Sequence, residues 1–187
     1  MKQDKDILEG LRQSREDAQR QLLLQYGDRV FSTVVRIVPC REDAEEVYQD
    51  VFMKVFRNIG TYDAGKASFS TWLMRIAYHE ALNFARRNKL HWVSFEDNMP
   101  ATEPISKDEL DAFFGNADEE TVAVIGHALQ QITPYEQSLI SMYYYQDMPI
   151  KEIAYVTDML PASVSSRLFK IRQKLYYLIK KERYERR

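Results

Sequence analysis

Cysteine is almost missing from this 187-residue chain. Cys40 stands alone, so no disulfide can form within it, and a reducing compartment suits such usage. Glycine and proline number six each, too few for a low-complexity or disordered composition. No apolar run approaches the ~20 residues of a membrane span, and the first twenty residues are charged, without an apolar core. Neither membrane insertion nor a secretory signal is therefore expected, and the expected location is cytoplasmic. Strand-type alternation is also lacking. So is catalytic patterning: there is no nucleophile–base constellation, glycine-rich phosphate loop or E-x-x-H pairing. His79, His91 and His127 are scattered, with no two at helix-face spacing, which argues against a metal. The expectation is a non-enzyme with no cofactor.

What is present is charge, unevenly placed. Residues 1–93 carry 15 basic and 13 acidic side chains, residues 94–120 one basic and nine acidic, and residues 121–187 ten basic and six acidic. The net charge of −2 hides two weakly basic blocks around an acidic one.

Helical periodicity runs through both basic blocks. Helices are predicted over about 5–13, from Ser14 (with Asp17 as capping-box partner) to Val38 before Pro39, over 41–59, and from Ser68 through "FSTWLMRIAYHEALNFARRNK". The stretch "SFEDNMPATEPISKDELDAFFGNADEE" reads as a linker with a short helical turn at Leu110–Phe114. Helices resume at 119–131, with Val122, Ile125, Leu129 and Ile132 on one side. In "TPYE", Thr133 caps, Pro134 takes the first helical position and Glu136 closes a capping box. The last two helices are predicted at 149–156 and 161–183. The fold class is all-α: a four-helix domain (1–93), an acidic linker (94–118) and a second helical domain (119–187).

"IKEIAYVTDMLPASVSSRLF" has the pattern of a helix-turn-helix. Val164, Leu168, Ile171 and Leu175 form one apolar stripe, while Ser166, Phe169, Lys170 and Gln173 lie opposite, with Ser165 at the edge. A phenylalanine on a face meant for water suits a thymine methyl, and serines suit base edges. The backbone N–H groups at Ala162 and Ser163 suit a phosphate. Arg167, Lys170 and Lys174 supply cationic contacts. The plainer reading is two packed helices with a solvated basic face.

In the first domain, Glu46, Gln49, Asp50, Lys54 and Arg57 stand opposite two apolar columns of "DAEEVYQDVFMKVFRNI", as a solvated face or a partner surface. The fourth helix interleaves Phe69, Trp72, Arg75, Tyr78, Phe84, Arg86 and Arg87, which suits either a core or single-stranded nucleic acid. The loop "DAGKAS" before it could close around an unstacked base.

In this order, the segments "DAEEVYQDVFMKVFRNI", "YDAGKASFSTWLMRIAYHEALNFARR" and "ITPYEQSLISMYYYQDMPIKEIAYVTDMLPASVSSRLFKIRQKL" resemble bacterial sigma factors of the extracytoplasmic-function group, over about 5–180. The resemblance implies a dissociable subunit of core RNA polymerase that binds promoter DNA, usually regulated by an anti-sigma factor. Glu46, Gln49, Asp50 and Lys54 match the face that meets the polymerase clamp. Lys66, Ala67 and Ser68 match the loop that captures a flipped non-template base. Trp72, Arg75, Tyr78 and Asn83 match the melting helix, with Phe69 in the same strand-contacting set. Ser165, Ser166, Arg167, Phe169 and Lys170 match contacts to the minus-thirty-five duplex, beside Ser163 and Lys174. Two departures stand out: Asp158 and Leu160 stand where the family often has glycine in the turn and Ser or Thr capping the second helix, and Ser165 stands where a basic residue is common. A polymerase-independent helix-turn-helix regulator and a helical adaptor are the alternative readings.

Overall fold

The computed structural model describes residues 2–88, 105–115 and 119–185. Its helices are α1 (Lys2–Arg12), α2 (Glu16–Ile37), α3 (Arg41–Asn58), α4 (Phe69–Arg87), α5 (Lys107–Gly115), α6 (Glu119–Gln130), α7 (Pro134–Ile140), α8 (Ile150–Thr157) and α9 (Pro161–Glu185). A 3-10 turn (Ile59–Thr61) follows α3, and a wide π-helical turn (Ser141–Tyr145) continues α7. No strand occurs among the described residues, in keeping with the all-α expectation. Residues 89–93, 94–104 and 116–118 of the predicted first domain and linker lie outside the described residues.

The first four helices share one core because their apolar residues repeat every three or four positions. Leu22, Val30, Val34 and Ile37 of α2 meet Val47, Val51 and Val55 of α3 and Leu73, Met74 and Ala77 of α4 within it. Helix α1 docks closely on α2. A Cβ on Gly10 would sit 2.4 Å from the Ala18 Cβ, so only glycine permits that approach.

Ser14 does not open α2. It takes φ 55° and closes α1: its N–H donates to Leu11 O (3.0 Å) and the Arg15 N–H to Gly10 O (2.9 Å). That is a Schellman closure with serine in the left-handed position. An N-cap needs extended backbone, so α2 starts at Glu16 with Arg15 before it, and Asp17 pairs with Arg15 instead.

In the second unit α5, α6, α7 and α8 all pack on the long α9. The predicted capping box is present: Thr133 Oγ1 accepts from Glu136 N (3.2 Å), and Glu136 Oε2 accepts from Thr133 N (2.7 Å). Helix α6 buries Val124 and Ala128, with Ile125 and Leu129 at the edge. Of the predicted stripe, Ile132 is also buried, and the Val122 side chain lies outside the described residues. The turn expected at Leu110–Phe114 extends to the whole of α5. Leu110 is fully buried, and Phe113 meets the Tyr176 ring edge-on at 4.8 Å. The two units also pack together, α4 against α8 and α2 against α7.

Candidate nucleic-acid interface

The helix-turn-helix is built by α8 and α9. Val164, Leu168, Ile171 and Leu175 are all buried, as their spacing predicts. Helix α8 ends on Asp158 at φ 58° and ψ 34°, with the Met159 N–H donating to Ala154 O (3.1 Å). Asparagine and aspartate tolerate this left-handed conformation better than most residues, so Asp158 takes the backbone role that glycine has in related turns. Pro161, with its fixed φ, then starts α9.

The opposite face of α9 is open. Ser163, Ser165, Ser166, Arg167 and Lys170 are exposed, and Phe169 is half-buried. Phe169 borders a shallow groove with Tyr143, Tyr144, Ile150 and Ser166. Ala162, Ser163, Ser166, Arg167 and Lys170 line a second concavity at the start of the helix. The Arg167 guanidinium lies 5.3 Å from the Tyr135 ring centroid, which orients its charge. Ser165 Oγ donates back to Pro161 O (3.1 Å).

Lys174 does not belong to that face. Only 5% of it is exposed, and its Nζ donates to both Glu136 oxygens, at 3.0 and 2.8 Å. Glu136 already caps α7, so the pair ties the start of α7 to the middle of α9. Lys174 therefore holds the helix in place and does not meet DNA in this arrangement.

The loop before α4 is kept tight by an Asx turn, Gly65 N donating to Asp63 Oδ1 (2.9 Å), with Lys66 projecting outward and Ala67 half-buried. Ser68 caps α4 by accepting from Thr71 N (3.2 Å). Of the residues expected to contact a melted strand, Asn83 is exposed but the aromatics are not. Phe69, Trp72 and Tyr78 are 4%, 8% and 1% exposed. Phe69 stacks on Trp72 at 5.8 Å with Tyr62 beside both, and Tyr78 reaches the Tyr135 hydroxyl. Burial, reinforced by Tyr135, holds the Tyr78 phenol protonated far above its ordinary range. Arg75 donates to Tyr155 O and to Asp158 Oδ2 (2.8 Å). Phe69 and Trp72 are thus covered within the first unit, by Tyr26 and Tyr62, while Tyr78 meets α7 and Arg75 meets α8.

On α3, Glu46, Gln49 and Asp50 are exposed, while Lys54 pairs with Glu80 of α4. Met53, 49% exposed, falls on the same stripe and was not predicted, although its spacing from Glu46, Gln49 and Asp50 marks it. Also unpredicted are the exposed Tyr144, Tyr145 and Leu160; the tyrosines are turned outward by the wide turn. Among the described residues no cluster of His, Cys, Asp and Glu could hold a metal.

Residues 22–91 match the family described as Sigma-70 region 2, and residues 123–175 match Sigma-70, region 4. The chain belongs to the sigma-70 family, in its extracytoplasmic-function group. It is 24% identical over 184 residues to the RNA polymerase sigma-H factor of Pseudomonas aeruginosa, covering 91% of each chain. It is 25% identical over 180 residues to the ECF RNA polymerase sigma-E factor of Escherichia coli K12, again covering 91% of each. Two solved structures share the fold at 18% identity. CnrH in complex with the cytosolic domain of CnrY gives a TM-score of 0.65, covering 95% of this chain and 97% of that one. The sigma factor RpoE in complex with the anti-sigma factor NepR, from Bartonella quintana, gives 0.61, covering 86% and 96%. This sigma factor is accordingly a non-enzymatic transcription initiation factor of two helical domains.

Proposed function

We propose that this sigma factor binds core RNA polymerase through the exposed face of α3 and directs initiation by reading two promoter elements. Glu46, Gln49 and Asp50, with Lys54 at the edge and Met53 at the centre, form the core-binding stripe. Helix α9 enters the major groove of the minus-thirty-five element. Ser163 lies near a phosphate, Ser165, Ser166 and Phe169 face base edges, and Arg167 and Lys170 supply charge. The melted minus-ten strand runs along α4, with Lys66, Ala67 and Ser68 holding an unstacked base and Phe69, Trp72, Arg75, Tyr78 and Asn83 following it. Each domain alone binds DNA weakly, and joint attachment to polymerase supplies the effective concentration. Because the two fold neighbours were solved with CnrY and with an anti-sigma factor, we extend the reading to an anti-sigma partner.

One observation carries the reading: α9 buries its apolar stripe while leaving Ser163, Ser166, Arg167 and Lys170 together on open surface. The test is transcription from fragmented genomic DNA of the same organism by sigma-free core polymerase, with the wild-type chain or with Lys170→Glu. New transcript starts that share two upstream motifs at fixed spacing are expected with the wild type. Lys170→Glu should lose most of those starts yet still co-elute with core. Starts unaffected by Lys170→Glu would overturn the assignment of α9. Operator binding without polymerase would favour the regulator reading.

A further inference from the structure

We infer that Tyr62 is a positioning residue for the melted strand: its hydroxyl ties together the two ends of the loop before α4, so that an unstacked base meets a site already shaped, a role that rests on the base capture proposed above.

The arrangement is built outward from an aromatic anchor. Phe69, the first residue of α4, is 4% exposed and packs edge-on against Tyr26 of α2 at 5.6 Å. The Tyr26 hydroxyl is held in turn by Asp4 of α1, so three helices fix the floor of the cluster. The Tyr62 ring meets Phe69 edge-on at 5.4 Å and Trp72 at 5.6 Å. Contacts of this kind fix where a ring lies and which way its hydroxyl points. That hydroxyl crosses the loop and donates to the Ala67 carbonyl, five residues along the chain (3.2 Å). Inside the span, Asp63 O accepts from Lys66 N (3.1 Å) and at longer range from Ala67 N (3.5 Å), beside the Asx turn at Gly65. The loop thus has a turn at its tip and one side chain across its mouth.

The oxygen of Tyr62 has a different consequence from its ring. A phenylalanine would make the same ring contacts, so the aromatic cluster does not require the hydroxyl. What the hydroxyl does is orient the peptide between Ala67 and Ser68, among the residues proposed to hold the base. A base entering a loose loop must first order it, and that ordering lowers its affinity. Burial, with the Asp4 and Asp63 carboxylates adding to it, raises the Tyr62 pKa, so the phenol remains a donor at neutral pH. Lys66 stays in water beside the loop, with 73% of its side chain exposed, where it can meet the phosphate of a captured nucleotide.

The test uses this sigma factor bound to core polymerase, with single-stranded oligonucleotides carrying the minus-ten motif shared by its transcript starts. Each nucleotide of the motif is replaced in turn by an abasic one, and Kd is read by fluorescence anisotropy. The wild type should lose affinity sharply at one position, which marks the captured base. Tyr62→Phe should bind the intact strand about fivefold more weakly, yet match the wild type on the strand that is abasic at that position. Ala67→Gly loosens the same peptide without touching the ring cluster and should show the same selective loss. Circular dichroism and co-elution with core check that both variants are folded and assembled. A loss equal on intact and abasic strands would mean that the hydroxyl serves the fold at large, and would overturn the inference. So would an intact-strand affinity that Tyr62→Phe leaves unchanged. A wild type insensitive to every abasic substitution would instead overturn base capture by this loop, and the role of Tyr62 with it.

Discussion

Lys170 and Lys174 are four residues apart on α9 and do opposite things. Lys170 is exposed, so Lys170→Ala should change the urea midpoint little, within about 0.5 kcal/mol. Lys174→Met leaves the Glu136 carboxylate buried without its cation and should cost about 3 kcal/mol in the same measurement. Equal costs for the two would refute this division of roles. Periodicity placed Lys174 among DNA-facing cations because a hydrophobic pattern does not register an ion pair formed with another helix. Asp158 was read as a departure from glycine, yet it adopts the glycine-favoured backbone. Asp158→Ala should therefore be less stable than Asp158→Gly by about 1 kcal/mol, since alanine has no compensation at positive φ. Thermal unfolding of both variants checks this.

At the scale of elements, local signals proved readable and tertiary ones did not. The capping box at Thr133 and Glu136 was legible because all its contacts lie within four residues. Thr133→Ala should lose about 1 kcal/mol of stability in chemical denaturation. Ser14 was misread although its signal is equally local, because Ser-x-x-Asp suits a helix start and nothing in it reveals a preceding helix that closes on the serine. The burial of Phe69, Trp72 and Tyr78 was not legible, because alternation of rings and bases does not say which neighbour covers the rings. Helix α1 offers a pH test. Tyr26 Oη donates to Asp4 Oδ1 (2.7 Å), and this bond holds the Asp4 carboxyl below its usual range, against the opposing effect of burial. A carboxyl lowered by folding adds stability that is present above its unfolded value near 3.8 and is lost as pH falls through the lower folded value. Tyr26→Phe should thus lower stability at pH 6 and lose less of it between pH 5 and pH 2.5 than wild type does, as read from urea midpoints across that range.

At the scale of the whole molecule, the all-α class and the helix-turn-helix were legible from spacing, because amphipathic stripes report how each helix meets its own core. The seam between domains was not. Its members, Arg29, Thr71, Arg75, Gln146, Glu152 and Asp158, are polar residues that look solvated in sequence, and only the chain's path brings them within bonding distance. The apolar triplet Leu110, Phe113 and Phe114 likewise announced a helical turn without naming α9 as its dock.

The wide turn after α7 works as a phase shifter. Gln146 N donates to Ser141 O, five residues back, so this turn holds one residue more than an α-helix would. A single residue is worth about 100° of rotation about a helix axis. Deleting one tyrosine from the run Tyr143–Tyr145 would let the turn relax to ordinary winding and rotate Gln146 away from Arg29 and Thr33. The surplus residue thus times two faces against each other, as an offset tooth sets the phase of a gear: one turns tyrosines out to water, the other a glutamine in toward α2.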